Sequence, residues 1–266
     1  MNNLVLGKYI PIDSPIHRLD PRAKLLALLG MLIAVFIPAS WYGYGLLAII
    51  LLIVLKMAKI KLSFILKSFK PMMFMMIFLL VINIISNKEG YVLLQLPFIT
   101  IYSEAIFNTL YIVVRLILMI MVTTLLTATT KPLEMTLGIE YLLKPFGRIG
   151  LPYHEVAMMI SIALRFIPTI IDEATRIMNA QKSRGVDFDE GKLKEKIGAI
   201  VSLIVPLFSS AFIRADELAL AMEARAYVPS APRTRYKQLR YQGRDYVLLL
   251  AVVLIIAALI LIAIYL

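Results

Sequence analysis

The sequence contains no cysteine. Disulfides, thiolate metal sites, iron–sulfur ligation and thiol nucleophiles are excluded at once. It has two histidines, His17 and His154, and no His-Glu-x-x-His, so a metal centre or a membrane metalloprotease has no support. There is no Gly-x-x-x-x-Gly-Lys-Ser/Thr run to cradle a nucleotide's phosphates, and no Gly-x-Ser-x-Gly nucleophile turn. The first residues lack the short basic-then-apolar pattern of a secretory signal and are expected to stay on the chain. These absences predict a chain that is not an enzyme and holds no cofactor or metal of its own.

What is abundant is apolar surface. Of 266 residues, 61% are hydrophobic and the mean hydropathy is +0.85, far above an ordinary soluble domain. Five runs, roughly 23–37, 41–55, 71–86, 105–129 and 246–266, are long enough or nearly so to cross a hydrocarbon core of about 30 Å. The first two are joined by Ile-Pro-Ala-Ser-Trp at 37–41, a tight turn. Asp20 followed by Pro21 is a helix start, the acid as N-cap and the proline at the first helical position. Asp245 is expected to cap the last span in the same way, with Tyr246 and Tyr265 as interfacial aromatics. The predicted fold class is an all-α integral membrane protein with about five transmembrane helices.

The net charge is +11, and in a membrane protein this reports cytoplasmic loops before it reports nucleic acid. Lys8, Arg18, Arg22 and Lys24 crowd the N-terminal arm, and Lys56, Lys59, Lys61, Lys67 and Lys70 follow the second run. The loop after the first run holds no basic residue and the loop after the third only Lys88. The positive-inside rule then places the N-terminus in the cytoplasm, the C-terminus outside, and 131–245 inside. Three regions follow: 1–130, an arm with four spans; 131–245, a cytoplasmic module; and 246–266, a last span.

Within that module a short helix starts at Lys131-Pro132 and stops before Pro145. Two long helices come next, about 153–184 and 193–227, each with an apolar first half, one interior proline (Pro168, Pro206) and a charged second half. Proline is expected to kink both. Beyond Pro168, Ile170, Ala174, Ile177, Met178 and Gln181 fall near helical spacing and predict a dry face. The apolar halves, 154–171 and 197–213, also admit a seven-span reading, but it pushes Lys182, Arg184, Lys192, Lys194 and Lys196 outside. With five spans these halves must be covered by lipid, by this chain or by a partner.

Arg115 is the one charge deep inside a span, and Asn83 a polar residue in another. Intramembrane ionisable groups are functional candidates. The reading favoured here is structural: Arg115 pairs with polar groups, and Asn83 makes a helix–helix hydrogen bond. The two long helices end alike, Ser183-Arg184-Gly185 and Ala224-Arg225-Ala226. An arginine in a last turn suits the negative helix end, with Gly185 as the left-handed residue that follows. A second reading explains the small neighbours: they let a helix end enter a groove, where the guanidinium fork grips a carboxylate. Both readings stand on the residues alone, and two similar plugs suit two similar sockets.

The motifs Ser-Pro-Ile-His-Arg-Leu-Asp-Pro-Arg-Ala-Lys-Leu at 14–25, Ala-Leu-Arg-Phe-Ile-Pro at 163–168, Ala-Gln-Lys-Ser-Arg-Gly at 180–185, Ala-Met-Glu-Ala-Arg-Ala-Tyr at 221–227 and the basic tail at 232–246 resemble, in order along the whole chain, the transmembrane T component of energy-coupling-factor transporters. The resemblance implies an ABC-type importer of vitamins or other micronutrients. In it the module at 131–245 is a coupling module, and its two coupling helices dock two homologous ATPase subunits that bind ATP and Mg. The chain also holds a separate substrate-binding membrane subunit, interchangeable where the T component is of the shared type. No nucleic acid is involved. Arg184 and Arg225 then stand where the family's ATPase-contacting arginines stand. One departure is Ala226, where the family's second triplet has glycine. A left-handed alanine costs roughly 1 kcal/mol, so the second helix is expected to run on through Tyr227 and stop before Pro229. The alternatives are a T component dedicated to cobalt or nickel and, from another class, a stand-alone secondary transporter.

Overall fold

A computed structural model describes residues 9–37, 40–86, 90–95, 100–149, 152–188, 192–228 and 239–265. Lys8, Pro38, Ala39, Lys88, Pro229 and the 232–238 part of the basic tail lie outside the described residues. The chain is α-helical and divides into two compact units, Met1–Ile139 with Leu239–Leu266, and Glu140–Gln238.

The first unit holds α1 (Pro21–Phe36), α2 (Trp41–Met57), α3 (Leu62–Phe69), α4 (Met73–Ser86), α5 (Ser103–Thr129), most of α6 (Pro132–Leu143) and α9 (Gly243–Tyr265). Two short antiparallel strands, β1 (Val92–Gln95) and β2 (Thr100–Tyr102), lie in the α4–α5 connection. Its core is α1 packed on α5 and α9, with α2 on α5. Leu47, Leu51 and Leu55 recur on one face of α2 and meet Leu118, Met121 and Val122 of α5 in that core. Gly30 lets α1 and α9 close on each other, since a Cβ there would lie 2.7 Å from Val252 Cγ1.

The helices differ from the expected spans in two ways. The third span does not begin at Pro71: the helix starts at Leu62 and passes that proline in a single 3-10 turn, Lys70–Met72, which removes the need for the missing N–H. Among the described residues, five helices are long and apolar enough to cross a bilayer: Leu62–Ser86, Ser103–Thr129, Tyr153–Ser183, Lys194–Ala224 and Gly243–Tyr265. This is not the set expected. α1 and α2 have 16 and 17 residues, about 24–26 Å at 1.5 Å per residue, while both long helices of the second unit qualify by length and composition.

The 14–25 motif forms a polar knot. Asp20 caps α1 by accepting from Arg22 N at 2.9 Å, and the Arg22 guanidinium pairs with it at 2.9 Å. Asp245 is not the cap of α9. It sits in that helix's first turn, where its carboxylate accepts from Gln242 N at 2.7 Å and from Asp20 N at 2.8 Å. A carboxylate three residues into a helix reaches back to the cap residue's N–H, and the second oxygen here ties α9 to the start of α1. Lys24 Nζ donates to His17 O at 3.1 Å and Thr129 O at 2.9 Å, joining the arm to the end of α5. His17 bridges Ser14 Oγ, 2.7 Å from Nδ1, and the Ile10 carbonyl, 3.1 Å from Nε2. Burial holds its imidazole below the ordinary histidine pKa.

The second unit consists of the end of α6, a 3-10 segment (Lys144–Ile149), and two long helices, α7 (Tyr153–Ser183) and α8 (Leu193–Ala224). Pro168 and Pro206 are inside them. α8 begins with Lys192 N–H donating to Glu195 Oε2 at 2.8 Å, half of a capping box.

Candidate functional site

The two arginine triplets end α7 and α8 with the same backbone geometry. Arg184 follows the last residue of α7, and its N–H donates to Ala180 O at 3.2 Å and Gln181 O at 3.0 Å. Gly185 then takes φ +86°. Its N–H donates to Lys182 O and the Val186 N–H to Gln181 O, both at 3.0 Å. These two bonds are a Schellman motif, which satisfies carbonyls that a helix end otherwise leaves open.

α8 repeats it. The helix stops at Ala224, Arg225 follows, and Ala226 takes φ +55°. The Ala226 N–H donates to Glu223 O at 2.8 Å and the Tyr227 N–H to Met222 O at 2.9 Å. The expected run-on through Tyr227 therefore does not occur. Two hydrogen bonds, each worth about 0.5–1.5 kcal/mol net, offset a left-handed alanine at roughly 1–2 kcal/mol. The departure from glycine costs strain but leaves the second end the same shape as the first.

Ser183, Arg184, Gly185, Ala224, Arg225 and Ala226 are all exposed. A Cβ built on Gly185 meets nothing within 4 Å, so that glycine serves the backbone and not local packing. Neither guanidinium makes a side-chain hydrogen bond or ion pair with a described residue. Each is a free planar fork on a locked helix end, a shape that matches a carboxylate.

The two forks do not share one site. α7 and α8 run antiparallel: Arg214 pairs with Glu173, and Gln181 Nε2 donates to Ser202 O at 3.3 Å. The Arg184 end thus lies near residue 202 of α8, and the helix from Ser202 to Ala224 is about 33 Å long at 1.5 Å per residue. The expected dry face of α7 is present at Ala174, Ile177, Met178 and Gln181, which are half-buried, with Ile171 in place of the exposed Ile170. The first halves are not dry inside this chain. Met159, Ile200, Val201, Ile204, Val205, Phe208 and Phe212 are exposed, and Phe208 and Phe212 pack edge to face with ring centroids 4.7 Å apart.

The intramembrane candidates lie elsewhere, in the first unit. Arg115 Nε donates to Tyr44 Oη at 2.9 Å, and its guanidinium carbon is 5.4 Å from the centre of the Phe36 ring. It pairs within the chain, with Tyr44 of α2. Among the described residues, Asn83 makes no hydrogen bond to a second helix. Its amide donates at 3.3 Å to Leu79 O of its own helix, and α4 has no fully buried residue, so the nearest acceptor is one turn back. Three contacts were not legible in advance: Glu173–Arg214, Gln181–Ser202 and Asp20–Asp245. Gln181 carried a signal as a polar residue on an apolar stripe, and Asp20 and Asp245 as helix-start acids, but none of them named its partner.

Among the described residues no group of three or more His, Asp or Glu is placed to hold a metal ion. The family model described as CbiQ, cobalt transport protein, matches residues 13–236. The energy-coupling factor transporter transmembrane protein EcfT of Lactococcus lactis subsp. cremoris is 43% identical over 261 residues, 98% of each chain. The EcfT proteins of Bacillus subtilis and Streptococcus thermophilus are 41% and 44% identical, covering 97% and 95% of this chain and 98% and 96% of theirs. With a matched family model, near-complete coverage by relatives and membrane-length apolar helices, the chain belongs to the CbiQ/EcfT family, as the multi-pass membrane component of an energy-coupling factor transporter in a bacterial cell membrane.

Proposed function

We propose that this chain is the non-catalytic coupling subunit that docks two homologous ATPase subunits through Arg184 and Arg225. The single observation that carries the proposal is the pair of matched helix ends, each with an exposed guanidinium that has no partner among the described residues. One arginine capping one helix needs no second protein. Two arginines on turns with the same hydrogen-bond pattern, on the ends of two antiparallel helices, suit two related sockets with an acidic residue in each. ATP and Mg belong to those partners, and this chain needs no cofactor.

The same reading gives the exposed first halves of α7 and α8 a substrate-binding membrane subunit as their cover. A monomer rarely leaves apolar patches of that size bare. The cargo is a vitamin or another micronutrient, and its specificity resides in that other polypeptide. The CbiQ description, which names cobalt transport, favours one second reading, a T component dedicated to cobalt. In the proposed topology the N-terminus and the coupling module, 131–245, are cytoplasmic and the C-terminal helix exits outward, by the Lys/Arg asymmetry. Lys192→Cys should be labelled by an impermeant thiol reagent only from the cytoplasmic side; labelling from outside removes the module from the ATPases. The direct test is to purify the tagged chain in mild detergent. Two distinct ATP-binding polypeptides should accompany it, and their reproducible absence refutes the assignment.

A further inference from the structure

Pro206 has no N–H and cannot bond the Ser202 carbonyl one turn back. The Gln181 side chain of α7 donates to that same carbonyl at 3.3 Å. Gln181 is half-buried, and its own carbonyl accepts from Arg184 N and Val186 N, both at 3.0 Å. One residue therefore belongs to the turn that presents Arg184 and to the place where proline leaves a carbonyl unbonded in the helix that presents Arg225. The corresponding carbonyl in α7, Leu164 O before Pro168, receives no side-chain donor from a described residue.

The Glu173–Arg214 pair also links the helices, but two long side chains tolerate sliding. A glutamine held to a backbone carbonyl does not, because the acceptor moves only with the α8 main chain. The carbonyl it holds lies where α8 lacks an internal bond and bends most easily. We infer that Gln181 is a positioning residue: it ties the Arg184 end of α7 to the Ser202 carbonyl that Pro206 leaves open in α8, so that displacement of one arginine is passed to the helix that carries the other. This deepens the coupling role proposed above and rests on it.

The test compares four versions of the assembled complex: parent, Gln181→Met, Pro206→Ala, and both together. Pro206→Ala restores an N–H that takes over the Ser202 carbonyl, so the glutamine is no longer needed there. The readouts are cargo taken up per ATP hydrolysed and the thermal midpoint of the purified chain. Gln181→Met should keep both ATPases bound yet lower uptake per ATP about fivefold or more, the loss expected when a partly buried acceptor goes unpaired. In the Pro206→Ala background the same substitution should change neither readout. If Pro206→Ala by itself stops uptake, the midpoint decides, falling with Gln181→Met only where the proline is present. Failure of Gln181→Met to accumulate, reversed by Pro206→Ala, supports the inference. Parent-level uptake per ATP in Gln181→Met, or equal losses in both backgrounds, overturns it. Absence of ATPases from the parent complex is a separate result: it refutes the coupling role, while the midpoint comparison still tests the hydrogen bond.

Discussion

Ala226→Gly should tighten the end of α8, and Gly185→Ala should loosen the end of α7, by similar amounts. Both positions hold the left-handed turn, at φ +55° and +86°. An L side chain there costs roughly 1–2 kcal/mol. Glycine recovers this but loses about 0.4–1 kcal/mol through the greater freedom of the unfolded chain. The net expectation is about 0.5–1 kcal/mol in each direction. Sterics add nothing at Gly185, since a Cβ meets no atom within 4 Å. The affected amides are Ala226 and Tyr227, which donate to Glu223 O and Met222 O, and Gly185 and Val186, which donate to Lys182 O and Gln181 O. Hydrogen exchange on the purified chain reads them directly. Exchange at 226–227 should slow about two- to fivefold in Ala226→Gly, and exchange at 185–186 should quicken about as much in Gly185→Ala. Faster exchange in Ala226→Gly, or unchanged rates in both, would refute the matched-turn account and restore a helix that runs on through Tyr227.

Two further outcomes are expected. Arg115→Met should lower the yield or thermal midpoint of the chain while leaving uptake per molecule largely intact. Tyr44→Phe should reproduce part of the loss and add little to it, because the two side chains share one charge-assisted hydrogen bond worth about 1.5–3 kcal/mol. A normal yield of inactive Arg115→Met complex contradicts the structural role. His17 carries a pH dependence: burial lowers its pKa, so its contribution is present above the unfolded value near 6.5 and is lost as pH falls through the lower folded value. Limited proteolysis of the N-terminal arm should therefore accelerate on acidification, and His17→Asn should flatten that response; an arm equally resistant across the range argues against it.

How far the residues alone reach depends on whether a feature is local. Asp20-Pro21 marks the start of α1 because cap and first-turn preferences act within one turn. Ser183-Arg184-Gly185 marks the end of α7 for the same reason. Local rules misplace the start of the third span, because Pro71 reads as a boundary until a 3-10 turn absorbs it. They misplace the end of α8 because a backbone penalty at Ala226 is visible in the sequence while the two offsetting hydrogen bonds are not. Asp245 looks like a cap, and only the approach of α1 shows that its carboxylate also holds Asp20 N. Gln181 stands out as polar on a dry stripe, but its acceptor depends on the register of α8 against α7, which one helix's spacing does not contain.

The central claim is that Arg184 and Arg225 each enter a groove on one ATPase and meet an acid there. Removing one partner of a buried, hydrogen-bonded charge pair costs about 2–5 kcal/mol, roughly a thirty-fold to several-thousand-fold loss of affinity per contact. Helix capping at an exposed end accounts for at most about 1 kcal/mol. Docking through both arginines would be bivalent, so that a single substitution would leave assembly partly intact, and the deciding protein carries Arg184→Ala with Arg225→Ala. Its ATPase co-purification and cargo uptake should be measured beside a double lysine variant. The account predicts that the alanine pair releases both ATPases or leaves their hydrolysis unable to drive uptake, and that lysine rescues poorly because it lacks the bidentate fork. Parent-level co-purification and uptake in the double alanine variant would contradict it.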